Sequence, residues 1–361
     1  MGQLELKEFY RGRRILITGH NGFKGSWMCR ILDLLGAEVT GYALQPPTTP
    51  SLFGNCSWPE RFRFLHGDVR DLERMQAAFD ESRPEVVFHM AAQPLVRESY
   101  QEPVYTFDVN VMGSVNLMEC VRRSESVCSV VNVTTDKVYR NDDRGQHFRE
   151  SDRLGGHDPY AASKACSEIV TEAYARSFLR ERGTAVSTVR AGNVIGGGDF
   201  AADRILPDCF RAAVAGKAAV IRNPLSVRPF EHVLEPLYAY LKLAMFQYED
   251  PSLAGSYNVG PDEQGCSTVE ELVRSFSESW ERFTGKKLDW IVQGDGGPHE
   301  SAVLMLDCTK IRERLGIVPV WPVRQAIEKA AEWYAAFAEG KDPGKCMIRQ
   351  IEEYYEKQVQ R

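Results

Sequence analysis

The run Arg13-Arg-Ile-Leu-Ile-Thr18 leads without a spacer into Gly19-His-Asn-Gly22-Phe-Lys-Gly25, and the next segment is patterned as a helix. That succession constrains the chain more than any other stretch. The apolar run reads as a short buried strand. Trp27, Met28, Ile31, Leu32 and Leu35 share one helical face, and Gly36 stands where a C-cap is expected. The glycines at the first, fourth and seventh positions form a G-x-x-G-x-x-G variant of the dinucleotide fingerprint. Such a loop turns sharply, lets the backbone approach a pyrophosphate and aims helix N–H groups at phosphate oxygens. The candidate cofactor-binding residues here are Gly19, Asn21, Gly22, Phe23, Lys24 and Gly25.

A strand–helix alternation follows. Glu38–Leu44 reads as a second strand ending at Gln45-Pro46-Pro47, with neither an acid nor an arginine at the usual ribose address. NAD and NADP therefore both stay open at that point. Phe62–Val69 reads as a third strand whose Asp68 and Val69 are candidates for the adenine end. For Asp68 two readings stand, an adenine contact or an acid at the start of the next helix. Glu85–Ala91 is a fourth strand, and the small residues Ala91 and Ala92, with Gln93, leave room for a cofactor ribose. A helix from about Val104 to Arg123 carries Asn110, read as a buried structural amide. Short connections make the sheet parallel and doubly wound.

The fifth strand ends in the chemistry. Val130-Val-Asn-Val is an apolar, β-branched run, and Thr134, Thr135, Asp136 and Lys137 follow at its carboxyl end, where open parallel sheets bind ligands. Downstream, Asp158 is an N-cap, Pro159 fits the first helical position, and Tyr160 and Lys164 stack on one face of that helix. An ammonium beside the phenol is expected to favour the phenolate and bring the tyrosine toward general-base range.

These motifs resemble the extended short-chain dehydrogenase/reductase family of nucleotide-sugar enzymes, from about residue 11 to about 335. Within it, Gly19–Trp27, Thr134–Tyr139, Gly192–Asp199 and Arg228–Pro236 are similar to the 4,6-dehydratases that act on CDP-glucose. The resemblance implies a Rossmann-type NAD-binding domain over 1–190, joined by returns from the later chain. A smaller mixed α/β substrate-binding domain would follow over 191–345, with a tail over 346–361. It implies Tyr160 as base toward the sugar 4-hydroxyl with Thr135 relaying the proton, Lys164 toward the ribose, Asp136 as acid at the 6-hydroxyl and Lys137 as base at C5. A lysine base must be uncharged when it acts. Glutamate occupies that place in the dTDP-glucose enzymes, so lysine points to the CDP branch. A homodimer through the helices at about 104–123 and 159–181 is implied as well. Gln45 and Phe230 depart from the pattern, the first at the cofactor ribose and the second in packing. An epimerase or reductase on this scaffold, another nucleotide, and a non-catalytic NAD(P) sensor are the alternatives. An epimerase has no use for an acid–lysine pair after Thr135, and sensors tend to lose the tyrosine or lysine.

Ala185–Arg190 reads as a sixth strand, and Ala191–Phe200 as a glycine-rich loop. Family likeness makes that loop the floor of the sugar-nucleotide site, with Asn193 near the diphosphate. Arg204 and Arg228 are candidates for phosphate neutralisation or plain solvated arginines, and His299 and Glu300 for closing the site. Ser267-Thr-Val-Glu270 reads as a capping box, and the chain from about Pro322 as amphipathic helix used in packing. A formal net charge of -6 argues against a duplex nucleic-acid partner. No apolar run is long enough to span a bilayer, and no secretory signal is visible at the N-terminus. The 9 cysteines show neither zinc spacing nor paired layout, as expected of free thiols in a reducing cytoplasm, with no metal site.

Overall fold

The computed structural model describes residues 3–142, 145–261, 265–294 and 304–359. Seven strands form one parallel sheet: β1 Arg14–Thr18, β2 Glu38–Ala43, β3 Arg63–His66, β4 Val86–His89, β5 Ser129–Val133, β6 Ala185–Ala191 and β7 Ser256–Val259. Their order is β7-β6-β5-β4-β1-β2-β3. The chain therefore reverses direction between β1 and β4, and a ligand crevice opens outside the carboxyl ends at such a point. Thr18 pairs with His89, and His89 with Asn132. The exits carrying Gly19, Ala91 and Thr134 thus lie side by side.

Alternation along the strands builds two cores. Ile15, Ile17, Val86, Phe88, Val131 and Val133 face one way, while Leu16, Val87 and Val130 face the other. Both faces are covered, which is why these strands read as continuous apolar runs. Helix α1, Phe23–Leu35, covers the first face. The second is covered by α2, Leu72–Ser82, by α3, Gly113–Arg123, and by α4, Pro159–Tyr174. A π-turn at Asp108–Met112 runs into α3. Such bulges shift the helical register of the turns beyond them. Asn110 in that turn exchanges hydrogen bonds with the backbone of Gln93, and its amide also reaches Ser163. It is the structural amide anticipated for it.

Beyond β6 the structure departs from expectation in three places. Asn193–Ile195, within the supposed glycine-rich loop, is a strand paired in parallel with Phe230–His232, and Cys266–Thr268 completes that small sheet. The glycines after it answer to packing. A Cβ on Gly197 would lie 2.0 Å from Trp333, and Trp27 donates its indole N–H to the Gly197 carbonyl. The capping box is formed one residue later, by Thr268 and Glu271, because Thr268 takes the N-cap position. Finally, the described part of the segment expected as a tail, 346–359, is helical. Pro343–Val359 is a helix whose Met347, Ile351, Tyr354 and Tyr355 are buried, with Tyr354 donating to Glu235. That apolar face had only the main body to pack on, so the chain folds back against it. Trp333, Tyr334 and Phe337 of the preceding helix pack around Phe200 and Phe210, as their spacing suggested. No helix among the described residues is long and apolar enough to cross a membrane.

Candidate active site

The glycine loop is built by close backbone approach. Gly19 sits at φ 73°, where a side chain is strained, and a Cβ there would come 2.7 Å from the Ala91 nitrogen. A Cβ on Gly25 would lie 2.2 Å from the Gly19 carbonyl oxygen. Loop and helix start can therefore pack only as they do with glycine in both places. Asn21 donates to the Leu44 carbonyl and ties the loop to the exit of β2. Gly22 stands at the N-cap, so Phe23, Lys24 and Gly25 form the first turn of α1. The first-turn N–H groups of a helix have no partner within it, and a helix that starts directly after β1 suits a pyrophosphate.

The other expected cofactor residues follow the carboxyl ends of β3 and β4. Asp68 is paired with Arg70, which holds its carboxyl below the usual range, while Asp71 is the N-cap of α2. The reading of Asp68 as that helix's N-terminal acid is thereby corrected, since Asp71 is better placed by three residues of chain. Val69 is buried, and its carbonyl accepts from Asn116. Ala91 and Ala92 are half-buried beyond β4, and the Gln93 amide is spent on Thr106 and the Leu95 backbone.

At the end of β5, a short helical turn over Asp136–Val138 swings three functional groups together. Asp136 is fully buried. Its Oδ1 accepts from the Thr135 hydroxyl at 3.0 Å and from Lys137 Nζ at 3.1 Å. Its Oδ2 is also buried and has no partner among the described residues. Lys137 Nζ reaches Asn193 Oδ1 at 3.4 Å as well, which brings the strand after β6 to the same point. Tyr160 stands in the first turn of α4, where the Thr135 hydroxyl is near enough to act on its phenol.

The electrostatics differ from expectation at Tyr160. Burial raises its phenol above the ordinary value, and the influences that favour the phenolate are Lys137, the Thr135 hydroxyl and Arg204. Lys164, expected in that part, donates to the Val133 carbonyl at 2.8 Å, and burial brings it down to about 8. Stacking at i,i+4 aligns the two Cα–Cβ bonds. A long lysine stem then leaves its head free to take the nearest carbonyl. Arg204 also pairs with Asp199 at 3.2 Å. Arg228 is buried on the Val227–His232 strand and donates to its neighbour's carbonyl. His299 and Glu300 lie outside the described residues.

Several residues were not anticipated. Glu168, eight positions after Tyr160 in α4, forms a two-pronged pair with Arg190 of β6 at 3.0 and 2.9 Å, both groups buried. The same carboxylate accepts from Thr134 and Thr188, and Arg190 donates to Tyr139. This network fastens the exit of β5 to α4, and so holds Thr135 against Tyr160. Replacing Arg190 with Leu leaves Glu168 as a buried unpaired charge. Unfolding stability should drop by about 3–5 kcal/mol, measured as the shift of a urea transition. Glu231 is buried with neither carboxyl oxygen partnered among the described residues, and burial, then Glu235, push its carboxyl well up. Lys24, brought down to about 8 by burial, is within electrostatic reach of Glu231, Arg204, Asp136 and Lys137, and its Nζ is 3.4 Å from the Tyr240 hydroxyl. The available signal was an acid flanked by apolar residues, Glu168 before Ile169-Val170 and Glu231 after Phe230.

Comparison with known proteins gives consistent relatives. The family model described as GDP-mannose 4,6 dehydratase matches residues 16–330. The CDP-glucose 4,6-dehydratase of Salmonella typhimurium is 42% identical over 354 residues, covering 96% of this chain and 98% of that protein. Among solved structures, a UDP-glucose 4-epimerase of Thermus thermophilus in complex with NAD is 27% identical, with TM-score 0.76, over 89% of this chain and 98% of the other. An epimerase of Methanothermobacter thermautotrophicus shares the fold, with TM-score 0.81 and 22% identity over 93% of this chain and 96% of the other.

Proposed function

The chain belongs to the GDP-mannose 4,6-dehydratase family, and on that premise we propose a substrate and a role for each residue of the site. The protein is an NAD-dependent nucleotide-sugar 4,6-dehydratase whose substrate is CDP-glucose and whose product is CDP-4-keto-6-deoxyglucose. One observation carries the chemistry: a buried carboxyl, Asp136, with Thr135 and Lys137 on one oxygen and the other oxygen free. An epimerase or reductase has no use for that pair.

The glycine loop, the α1 N-terminus and the small residues beyond β4 fit NAD: any Cβ at Gly19 or Gly25 would collide with backbone. NAD bound there would supply the acceptor for the C4 hydride and the donor for its return to C6. Tyr160 accepts the 4-hydroxyl proton. The resulting ketone acidifies C5, where Lys137 removes the proton, and Asp136 protonates the departing 6-oxygen. Asn193 orients Lys137, and Arg204 and Arg228 serve the diphosphate. Lys164 serves the ribose. The lobe over 191–345 holds the nucleotide. The dehydratase works in the cytoplasm, in keeping with 9 free cysteines.

The test is NMR of CDP-glucose with the protein and NAD in deuterated water. A 6-deoxy-4-keto sugar carrying deuterium at C5 is expected, and unchanged CDP-glucose would refute the substrate. Gly25→Ala should cut NAD affinity by about tenfold or more, because the added carbon forces the loop apart. Titration of tryptophan fluorescence with NAD reads this.

The assembly is a homodimer through the helical face that exposes Val104, Phe107, Met112, Ile169 and Phe178. A row of exposed apolar side chains on two adjacent helices marks an interface. Val104→Glu with Ile169→Glu should shift the light-scattering mass from dimer to monomer; a mass unchanged by the pair would remove this face from the assembly.

A further inference from the structure

The dehydration leaves a proton debt that the groups above do not settle by themselves. Tyr160 gains the 4-hydroxyl proton. Lys137 takes the C5 proton and later gives C5 one hydrogen of its solvent-exchanged ammonium, so it ends with as many protons as it began. Asp136 loses its proton to the 6-oxygen, which departs as water. At the end of one cycle Tyr160 holds a proton too many and Asp136 one too few.

The geometry joins these two groups. The Thr135 hydroxyl is near enough to the Tyr160 phenol to favour its phenolate. Thr135 Oγ1 donates to Asp136 Oδ1 at 3.0 Å, and Lys137 Nζ stands on that same oxygen at 3.1 Å. We propose that Tyr160, Thr135, Asp136 and Lys137 form one proton wire, through which the proton taken from the sugar 4-hydroxyl reloads the acid that expels the 6-hydroxyl. The inference rests on the dehydratase reading. In the reset, the Tyr160 O–H bond breaks as a new O–H bond forms on Thr135, and the Thr135 proton passes to Asp136 Oδ1. Tyr160 is left as phenolate and Asp136 as carboxylic acid, with no electron pair or atom outstanding. A half-turn about the roughly two-fold Cβ–Cγ torsion carries the proton to the side where Oδ2 stands unpartnered.

Two features favour this internal route over exchange with solvent. Thr135 is 5% exposed and Asp136 0%, so bulk water has little direct access to either. Lys164, the other candidate to lead a proton away from Tyr160, is bonded to the Val133 carbonyl. The resting proton also need not stay on a carboxyl. Across the 3.1 Å contact it can sit on Lys137, which makes an ion pair of the two, or on Asp136, which leaves acid and free amine ready together. One proton therefore supplies both states that the elimination requires. By this account the reaction is closed in protons as it is in hydride.

The experiment is a single turnover in weakly buffered solution containing a pH indicator, with CDP-glucose mixed into enzyme and NAD and the product quantified by NMR. Mixing without NAD supplies the baseline for protons moved by binding alone. The expected result is product with no transient proton release. Release of one proton per site, in step with cofactor reduction and followed by uptake, overturns the wire while leaving the dehydratase reading standing. Absence of the 4-keto product overturns both. In the steady state at fixed pH, the rate should be indifferent to buffer concentration, and a rate rising with buffer acid counts against the wire. Thr135→Val should turn over about 10²-fold more slowly and acquire that buffer dependence, and Thr135→Ser should lose it again. A merely structural role for Thr135 would slow the variant without making it respond to buffer acid.

Discussion

Tyr160→Phe is expected to lower C4 oxidation by about 10³-fold or more, at the upper part of what a positioned base contributes. The phenol is the group beside Thr135 that can receive a proton, because the Thr135 hydroxyl is already donating to Asp136 at 3.0 Å. Lys137 is engaged with Asp136 and Asn193. Cofactor reduction in a single turnover is the direct readout, and full reduction by the Phe variant at the parent's rate would refute the role. The pH dependence has a definite sign. Burial raises the Tyr160 phenol, so the phenolate becomes more populated as pH rises, and C4 oxidation should speed up toward alkaline pH. Arg204 is among the groups that lower the phenol. Arg204→Leu should therefore move that rise to higher pH, and a profile that stays in place would show that Arg204 does not act on the tyrosine.

Lys137→Met should separate the two halves of the reaction. The 4-hydroxyl can still lose its proton to Tyr160, more slowly because the charge of Lys137 that favours the phenolate is gone, but nothing takes the C5 proton. Product formation should fall by about 10³-fold, while reduced cofactor accumulates with the oxidised sugar. Methionine keeps the side chain out to Cε and removes the amine. The buried Asp136 then loses the cation 3.1 Å from its Oδ1. Absorbance of the reduced nicotinamide and NMR of the sugar together read the outcome. Unchanged turnover would sink the base assignment, and loss of both cofactor reduction and product would place Lys137 in the first step instead.

The order of elements was legible from local pattern. A strand buried on both faces is a continuous apolar run, a phosphate-binding turn needs glycines at fixed spacing, and a helix start is marked by Asp158 and Pro159. All of these are consequences of backbone geometry within a few residues of chain, so the residues themselves carry the signal. The same holds for Thr134–Lys137 at a strand exit and for Tyr160 with Lys164 one turn apart.

Contacts between distant side chains were decided only by the folded sheet. Lys137 and Asn193 are 56 residues apart, and they meet because β5 and β6 are paired in a particular register. Glu168 finds Arg190 because α4 packs on β6, and the fold brings Glu231 of the Val227–His232 strand within electrostatic reach of Lys24. The head of Lys164 went to a backbone carbonyl, while Lys137 supplied the charge that favours the phenolate. Sequence spacing sets where a Cβ points. Where a long, flexible side chain ends is set by whichever partner the tertiary structure brings within reach, since a buried charge left unpaired costs several kcal/mol, about 3–5 kcal/mol for one half of a broken pair.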